Sequence, residues 1–209
     1  MSVSSNTQKT PFPLLYAGPI SYYAKYIKNA TEFDIHENFT KQTFRSRTRV
    51  YGANGVISLS IPVQGGAQNS PINKVRISNI DAWQRIHWRT LVSAYKSSPF
   101  FEYYAYLFEP IFLKKHELLL DFNLEMHQTI LKCLQLEIEP QFTSSFHPIQ
   151  KNDLRILYSS KKAHPLSLQF PKYQQVFSYS NPFEPDLSIL DALFNLGPET
   201  LSYLQNLNL

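Results

Sequence analysis

Four basic side chains occupy odd-numbered positions in one short segment: Lys41, Arg45, Arg47 and Arg49. Because side chains of a β-strand alternate between its two faces, an extended chain here would direct all four charges to one side. Like charges on one face repel unless an anion or carboxylate lies nearby, and arginine matches the geometry of phosphate and carboxylate groups. The segment therefore predicts a binding surface for an anionic small molecule. The alternatives are a solvated strand face, or internal ion pairs with Glu32, Glu37 or Asp81.

A second candidate anion site is the turn at Gly18-Pro19, which precedes a predicted helix. The start of a helix offers free backbone N–H groups and a positive dipole end, although Gly and Pro are equally typical of an ordinary turn. The chain has only six glycines and neither a Walker-type loop nor a GxGxxG motif, so no glycine-rich phosphate loop is expected. Tyr16, Tyr22 and Tyr95 are predicted to line a polar pocket, because tyrosine combines an apolar ring with a hydroxyl, although a tyrosine is more often part of an aromatic-rich core.

His87 is the predicted catalytic acid or base, because imidazole titrates near neutral pH. It also shares the apolar face of its predicted helix with Leu91 and Ala94, which is equally typical of a hydrogen-bonded core histidine. No HxxxH, CxxC or HExxH spacing occurs, so no metal site is predicted, and the sequence identifies no cofactor. Asp191 lies in an apolar segment, where a buried carboxylate needs a partner that an arginine of the basic segment could supply.

The elements that must position these side chains begin with a βαβ pattern. Short apolar strands are predicted at 13–17 and 33–35, with a helix at 20–29 between them. This order is typical of two parallel neighbouring strands, and in open α/β sheets ligands bind near the turn from strand to helix.

A β-hairpin is predicted next, with arms at 45–51 and 56–63. The arms flank Gly52-Ala53-Asn54-Gly55, in which Asn-Gly is a strong hairpin signal because both positions of a type I′ turn need positive φ. Residues 74–80 alternate between polar and apolar and predict another strand.

The C-terminal half is predicted to be helical. Asp81 and Gln84 are read as a capping box for a helix that ends near residue 97. Asp186 is the expected cap of a later helix, and a short strand is predicted at 154–158 within a proline-rich irregular segment. Helices are predicted at 101–115, 116–137 and 187–194. The predicted fold class is α/β, with a small partly parallel sheet, a β-hairpin extension and a helical C-terminal half.

Composition limits the classes of protein that the chain can represent. The 209 residues include 43% hydrophobic and 17% charged residues, which is enough apolar content for a sizeable core. The net charge of +4 is small and local, so nucleic acid is not the expected partner. A single cysteine fits a reducing, cytoplasmic compartment, and no apolar run is long enough for a membrane span. Residues 1–10 are predicted to be a disordered tail and 11–209 a single domain, whose oligomeric state the sequence leaves open.

Three blocks of sequence resemble the WbqC-like family in the form found in Bacteroidetes. The blocks are ENFTKQTFRSR at 37–47, the stretch from Trp83 to Tyr104, which includes HWRT and SAYKSSPFFEYY, and LSILDALFNLGP at 187–198. The resemblance spans about residues 13–205, nearly the whole α/β domain. Ser46 stands where the family usually has Asn, which implies altered specificity or activity if that Asn orients a ligand.

The resemblance implies a role in bacterial surface-polysaccharide (O-antigen) biosynthesis. The expected function is an enzyme that modifies a nucleotide- or lipid-linked sugar precursor, by acyl or aminoacyl transfer. The alternative is a non-catalytic binding or scaffold protein of the same pathway, in which His87 would be fully packed in the core. Solvent access of His87 therefore separates the two hypotheses.

Overall fold

The computed structural model describes residues 11–29, 32–149, 153–158 and 169–208, and the predicted tail at 1–10 lies outside them. Within the described ranges the chain forms two two-stranded sheets and seven α-helices. The predicted α/β class, with a small partly parallel sheet, a hairpin and helices in the C-terminal half, is confirmed.

The parallel sheet is very short. Strand β1 (Glu32–Phe33) pairs in parallel with strand β4 (Gln141–Phe142), and Phe12 adds a parallel bridge to Phe33. Helix α1 (Ile20–Asn29) connects Phe12 to β1, which confirms the βαβ order. The strand predicted at 13–17 is reduced to the bridge at Phe12, and β4 was not predicted.

The hairpin is the longer sheet and carries two of the four basic residues. Strands β2 (Arg47–Gly52) and β3 (Gly55–Ser60) are antiparallel, with Gly52 opposite Gly55. The predicted type I′ turn is wrong, because Ala53 and Asn54 form the turn and neither is among the described residues with positive φ. Gly55 follows them with a φ of 102°, as expected for a bulge glycine after a type I turn.

The helices of the C-terminal half follow the predicted order. They are α2 (Trp83–Tyr95), α3 (Phe101–Leu113), α4 (Leu119–Cys133), α5 (Leu154–Leu157), α6 (Ile189–Leu196) and α7 (Thr200–Asn206). Helix α5 replaces the strand predicted at 154–158. None of the described helices is long and apolar enough to cross a membrane.

Two local predictions around α2 are wrong. The helix begins after Ala82 with no side-chain cap, and the Gln84 amide donates to Asn79 Oδ1 at 2.9 Å instead of completing a capping box. No strand forms at 74–80: Lys74 ends a short 3-10 helix (Ile72–Lys74), and only isolated bridges follow, at Arg76 and Ile77. Their backbone partners come from separate segments, so the alternating pattern does not extend into a ladder.

Helix α6 is the centre of the hydrophobic core. Its residues from Ile189 to Asn195 are all buried, including the polar side chains of Asp191 and Asn195. The Phe194 ring packs against the rings of Tyr95, Phe101 and Phe108, with centroids 5.1 to 5.7 Å apart. These contacts fix α2 and α3 around α6, and β2 also lies against α6.

Candidate functional site

The outer face of the hairpin carries two arginines and two serines. Arg47 and Arg49 lie on the same side of β2, opposite Ser60 and Ser58 of β3 respectively. We call these four residues the anion face. Arg47 is half-buried, and it forms no hydrogen bond or ion pair with any described residue. Side chains that lie directly opposite across a strand pair have Cβ atoms roughly 5 Å apart, so one small anion can reach Arg47 and the Ser60 hydroxyl together.

Arg49 is already paired. Its Nη2 lies 3.0 Å from Oε1 of Glu184, and both side chains are about one-third exposed. Gln175 holds the backbone of Glu184 through two hydrogen bonds of 2.9 and 3.0 Å. Among the described residues, Arg47 is therefore the charge of the anion face that no carboxylate compensates, and Arg49 can exchange its carboxylate partner for a ligand.

Arg45 is separated from the anion face and lies in the core. It forms a two-pronged ion pair with Glu37, in which Nε donates to Oε1 at 2.7 Å and Nη2 to Oε2, and both side chains are 4% exposed. Lys41 is exposed in the turn before β2. Residues 41–46 form turns, with Gln42 at a φ of 62°. The four cations thus do not share one face, because the alternation rule applies only where the chain is extended.

The start of α1 is occupied by a carboxylate of the chain itself. Asp186 Oδ1 accepts from the Ser21 backbone N–H at 2.7 Å, and Oδ2 accepts from the Ser21 hydroxyl at 3.0 Å. The Ile20 N–H donates to the Leu187 carbonyl at 2.9 Å. This end of the helix therefore needs no external anion. The prediction that Asp186 caps α6 is wrong, since the Ser188 hydroxyl accepts from the backbone there.

His87 is packed inside the protein, with 4% of its surface exposed. Its Nδ1 lies 3.0 Å from the Tyr16 hydroxyl, and its ring lies between those of Tyr16 and Trp83. Burial lowers the pKa of His87 to about 4, although a hydrogen bond with the Ser60 backbone acts in the opposite direction. The imidazole is therefore neutral at pH 7, and Ser60 connects it to the anion face.

The three tyrosines predicted to shape a pocket are core residues with no exposed surface. The Tyr22 hydroxyl donates to the Pro13 carbonyl at 2.7 Å, and the Tyr95 hydroxyl accepts from the Tyr51 N–H at 3.1 Å. Tyr16 bonds His87 as described. Each hydroxyl has a protein partner, so these tyrosines belong to the buried framework and do not line a pocket.

Asp191 is a fully buried carboxylate without an arginine partner. Its Oδ2 accepts from the Tyr173 hydroxyl at 2.6 Å and from the Gln175 amide at 2.9 Å. Burial raises the pKa of Asp191, and these hydrogen bonds only partly oppose the increase. Gln175 contacts both Asp191 and Glu184, so it links the core to the partner of Arg49. The sequence did not single out Tyr173 or Gln175, because both lie in an irregular segment.

Other potential sites lie elsewhere on the surface. Open grooves of about 560, 630 and 470 Å³ are lined by residues of α2, α3, α4 and adjoining segments. No group of three or more His, Cys, Asp or Glu residues in the described part of the chain is placed to hold a metal ion.

These observations define a class of structure: a small α/β framework that carries a partly exposed arginine on a hairpin. The chain belongs to the WbqC-like protein family, whose sequence model matches residues 16–168. It is 26% identical over 214 residues to the uncharacterised protein Rv1507c of Mycobacterium tuberculosis, a match that covers 88% of this chain and 91% of the relative. No solved structure matches the chain. The matched range includes the whole anion face, and α6 and α7 lie beyond it.

Proposed function

We propose that the protein binds a phosphate- or carboxylate-bearing sugar precursor of surface-polysaccharide biosynthesis on the anion face. The observation that carries the proposal is the half-buried Arg47 guanidinium, which has no partner among the described residues. Partial removal of an arginine side chain from water costs free energy when no carboxylate lies beside it. A bound anion would supply charge-assisted, paired hydrogen bonds.

The surroundings of Arg47 favour a small ligand. The Ser58 and Ser60 hydroxyls are exposed and can donate to the same anion. Beside them, Arg49 is held by Glu184, which lowers the net charge of the face. A nucleotide-sugar fits this arrangement better than a nucleic acid, which needs cations spread over a continuous surface. We place the protein in the cytoplasm, in keeping with its single cysteine, which is free and buried.

Calorimetric titration with UDP-N-acetylglucosamine tests the proposal. Arg47→Ala removes the charged donor, and loss of a charge-assisted hydrogen bond costs about 1.5–3 kcal/mol, so the dissociation constant should rise roughly tenfold to a hundredfold. Arg89→Ala is the matched control, because Arg89 is exposed on α2. Equal affinity in wild type and Arg47→Ala would refute the site.

Binding without catalysis is the form of this function that the geometry favours. An acid or base must reach the reacting atoms, whereas His87 is enclosed by Tyr16 and Trp83. The second candidate is acyl or aminoacyl transfer to the bound sugar. The observation in its favour is that His87 contacts the backbone of Ser60, which lies opposite Arg47.

Product analysis separates the two candidates. A transferase would turn over a nucleotide-sugar in the presence of an activated acyl donor, and His87→Gln would abolish turnover while the dissociation constant stayed within about twofold. A binding protein would show saturable binding and no turnover in either form. Binding affinity and product yield are measured separately on the same protein samples, so a loss of turnover can be distinguished from a loss of binding.

A further inference from the structure

A second surface, which shares no residue with the anion face, combines protruding apolar side chains with cations. Ile80, in the loop before α2, is 92% exposed, and Leu113, the last residue of α3, is 75% exposed. Both line the same open groove of about 470 Å³, and Trp88 forms part of its wall. Large apolar side chains exposed together on a soluble protein mark an interaction site.

Cations outnumber carboxylates by two to one in the lining of this groove. Arg85 and Lys115 also line it, and neither has an ion-pair partner among the described residues. Asp81 is the opposing carboxylate in the lining. Of the neighbouring charges, Glu109 accepts a hydrogen bond from the Trp88 indole at 3.1 Å, and Lys114 pairs with Glu125 at 2.8 Å. The two cations without partners therefore lie directly beside the two most exposed apolar residues of the groove.

We propose that this groove and its rim dock onto an anionic lipid bilayer. The apolar side chains protrude from the rim, which suits insertion among acyl chains, and the long stems of Arg85 and Lys115 can keep their charges at the headgroup level. Trp88 has an apolar ring and a polar N–H, as is typical of side chains at a membrane interface. A few inserted side chains plus basic residues give reversible attachment, and do not span the membrane.

Anionic lipid is the occupant that the charges favour. Two copies of the groove placed face to face would bring together four cations and two carboxylates, which leaves an excess of positive charge. A neutral apolar peptide would leave Arg85 and Lys115 desolvated without a counter-charge. Phosphate headgroups satisfy both cations while the acyl region covers Ile80 and Leu113. The proposal is independent of the nucleotide-sugar site, because none of its residues belongs to the anion face.

Vesicle co-sedimentation tests the docking. Wild-type protein is mixed with vesicles of equal parts phosphatidylglycerol and phosphatidylcholine, and in parallel with pure phosphatidylcholine. We expect binding to the anionic vesicles that weakens with added salt. Leu113→Asp and Ile80→Asp should each raise the half-saturating lipid concentration about tenfold or more, because each removes an inserted side chain. Lys115→Glu should raise it about fivefold or more.

Tyr179→Asp is the matched control, because Tyr179 is 94% exposed and lies outside this groove. It should sediment like wild type, and circular dichroism checks that every variant is folded. The proposal is overturned if wild type does not sediment with anionic vesicles, or if it binds neutral vesicles equally well. It is also overturned if Tyr179→Asp weakens binding as much as Leu113→Asp does. It is also overturned if light scattering shows a dimer that Leu113→Asp converts to a monomer.

Discussion

Arg45 and Arg47 are two residues apart in sequence, but substitution by methionine is expected to destabilise the protein strongly at Arg45 and hardly at all at Arg47. Arg45→Met removes both prongs of the buried pair with Glu37 and the hydrogen bond from Nη2 to the Arg155 carbonyl at 3.1 Å. Breaking a buried pair leaves an uncompensated charge and costs about 3–5 kcal/mol of unfolding free energy. Arg47→Met breaks no hydrogen bond or ion pair with a described residue, so its cost should stay within about 0.5 kcal/mol.

The Arg45→Met deficit should depend on pH. Burial already raises the pKa of Glu37 above its ordinary 4.5, with Arg45 opposing the increase and Asp34 adding to it. Without Arg45 the folded-state pKa rises further. Below about pH 4.5 the carboxyl is protonated in both folded and unfolded states, so the deficit should be smallest there. It should grow as pH rises towards 7, because the folded variant must then bury a lone carboxylate or retain a proton.

Urea unfolding monitored by tryptophan fluorescence measures these free energies. The double variant Glu37→Met/Arg45→Met is the control, because replacing both charges with apolar groups of similar volume should recover most of the loss. If Arg45→Met were within about 1 kcal/mol of wild type at pH 7, or if Arg47→Met were as damaging, the assignment of Arg45 to the framework and Arg47 to the ligand site would be wrong.

Three further changes have distinct expected outcomes. Gly197→Ala should cost about 2–4 kcal/mol in urea unfolding, because Gly197 has a φ of 56° and a new Cβ would lie 2.5 Å from an aromatic ring, whereas Gly65→Ala, with open space around it, should be nearly neutral. Asp186→Ala should lower the melting temperature by the equivalent of about 1–2 kcal/mol, and Asp186→Asn by less, since the start of α1 keeps one acceptor. Burial lowers the pKa of His127 to about 3 from an ordinary 6.5, so the unfolded state binds the proton first as pH falls. Wild type should therefore lose about 3 kcal/mol more than His127→Gln between pH 6.5 and 4, and parallel pH curves for the two proteins would contradict this.

The parts of the fold that sequence reasoning captured are those with a regular local period. Helix α1 matches its predicted bounds, 20–29, because its apolar positions repeat at helical spacing over three turns. The hairpin was located by Asn54-Gly55 and by the alternation of 56–60, although the turn type was wrong. The helix predicted at 187–194, which is apolar apart from Ser188 and Asp191, corresponds to α6.

The parts that sequence reasoning missed depend on distant partners. Strand β4 consists of two residues whose only described sheet partner is β1, so no periodic pattern marks it. Asp186 binds the start of α1, 165 residues away, and not the helix that follows it. Its backbone has a φ of 50°, and its contact with Ser21 is a tertiary feature that local capping rules do not contain.

The candidate site was predicted in part. The alternation rule placed Arg47 and Arg49 on one face, and the structure keeps them there. It failed for Lys41 and Arg45, because the turn at Gln42 interrupts the extended chain and Glu37 draws Arg45 into the core. Glu37 was among the carboxylates considered as internal partners, but spacing alone could not decide which arginine it would take.

On the proposed anion face, Arg47 is the guanidinium that contacts the ligand. Arginine Nε–Hε resonances, assigned with Arg47→Lys and Arg45→Lys, can be followed by NMR during titration with UDP-N-acetylglucosamine. We expect the Arg47 resonance to shift in a saturable manner, Arg49 to shift less as it leaves Glu184, and Arg45 to stay unchanged. A saturable shift confined to other arginines, with the Arg47 resonance unchanged, would show that Arg47 does not bind the anion.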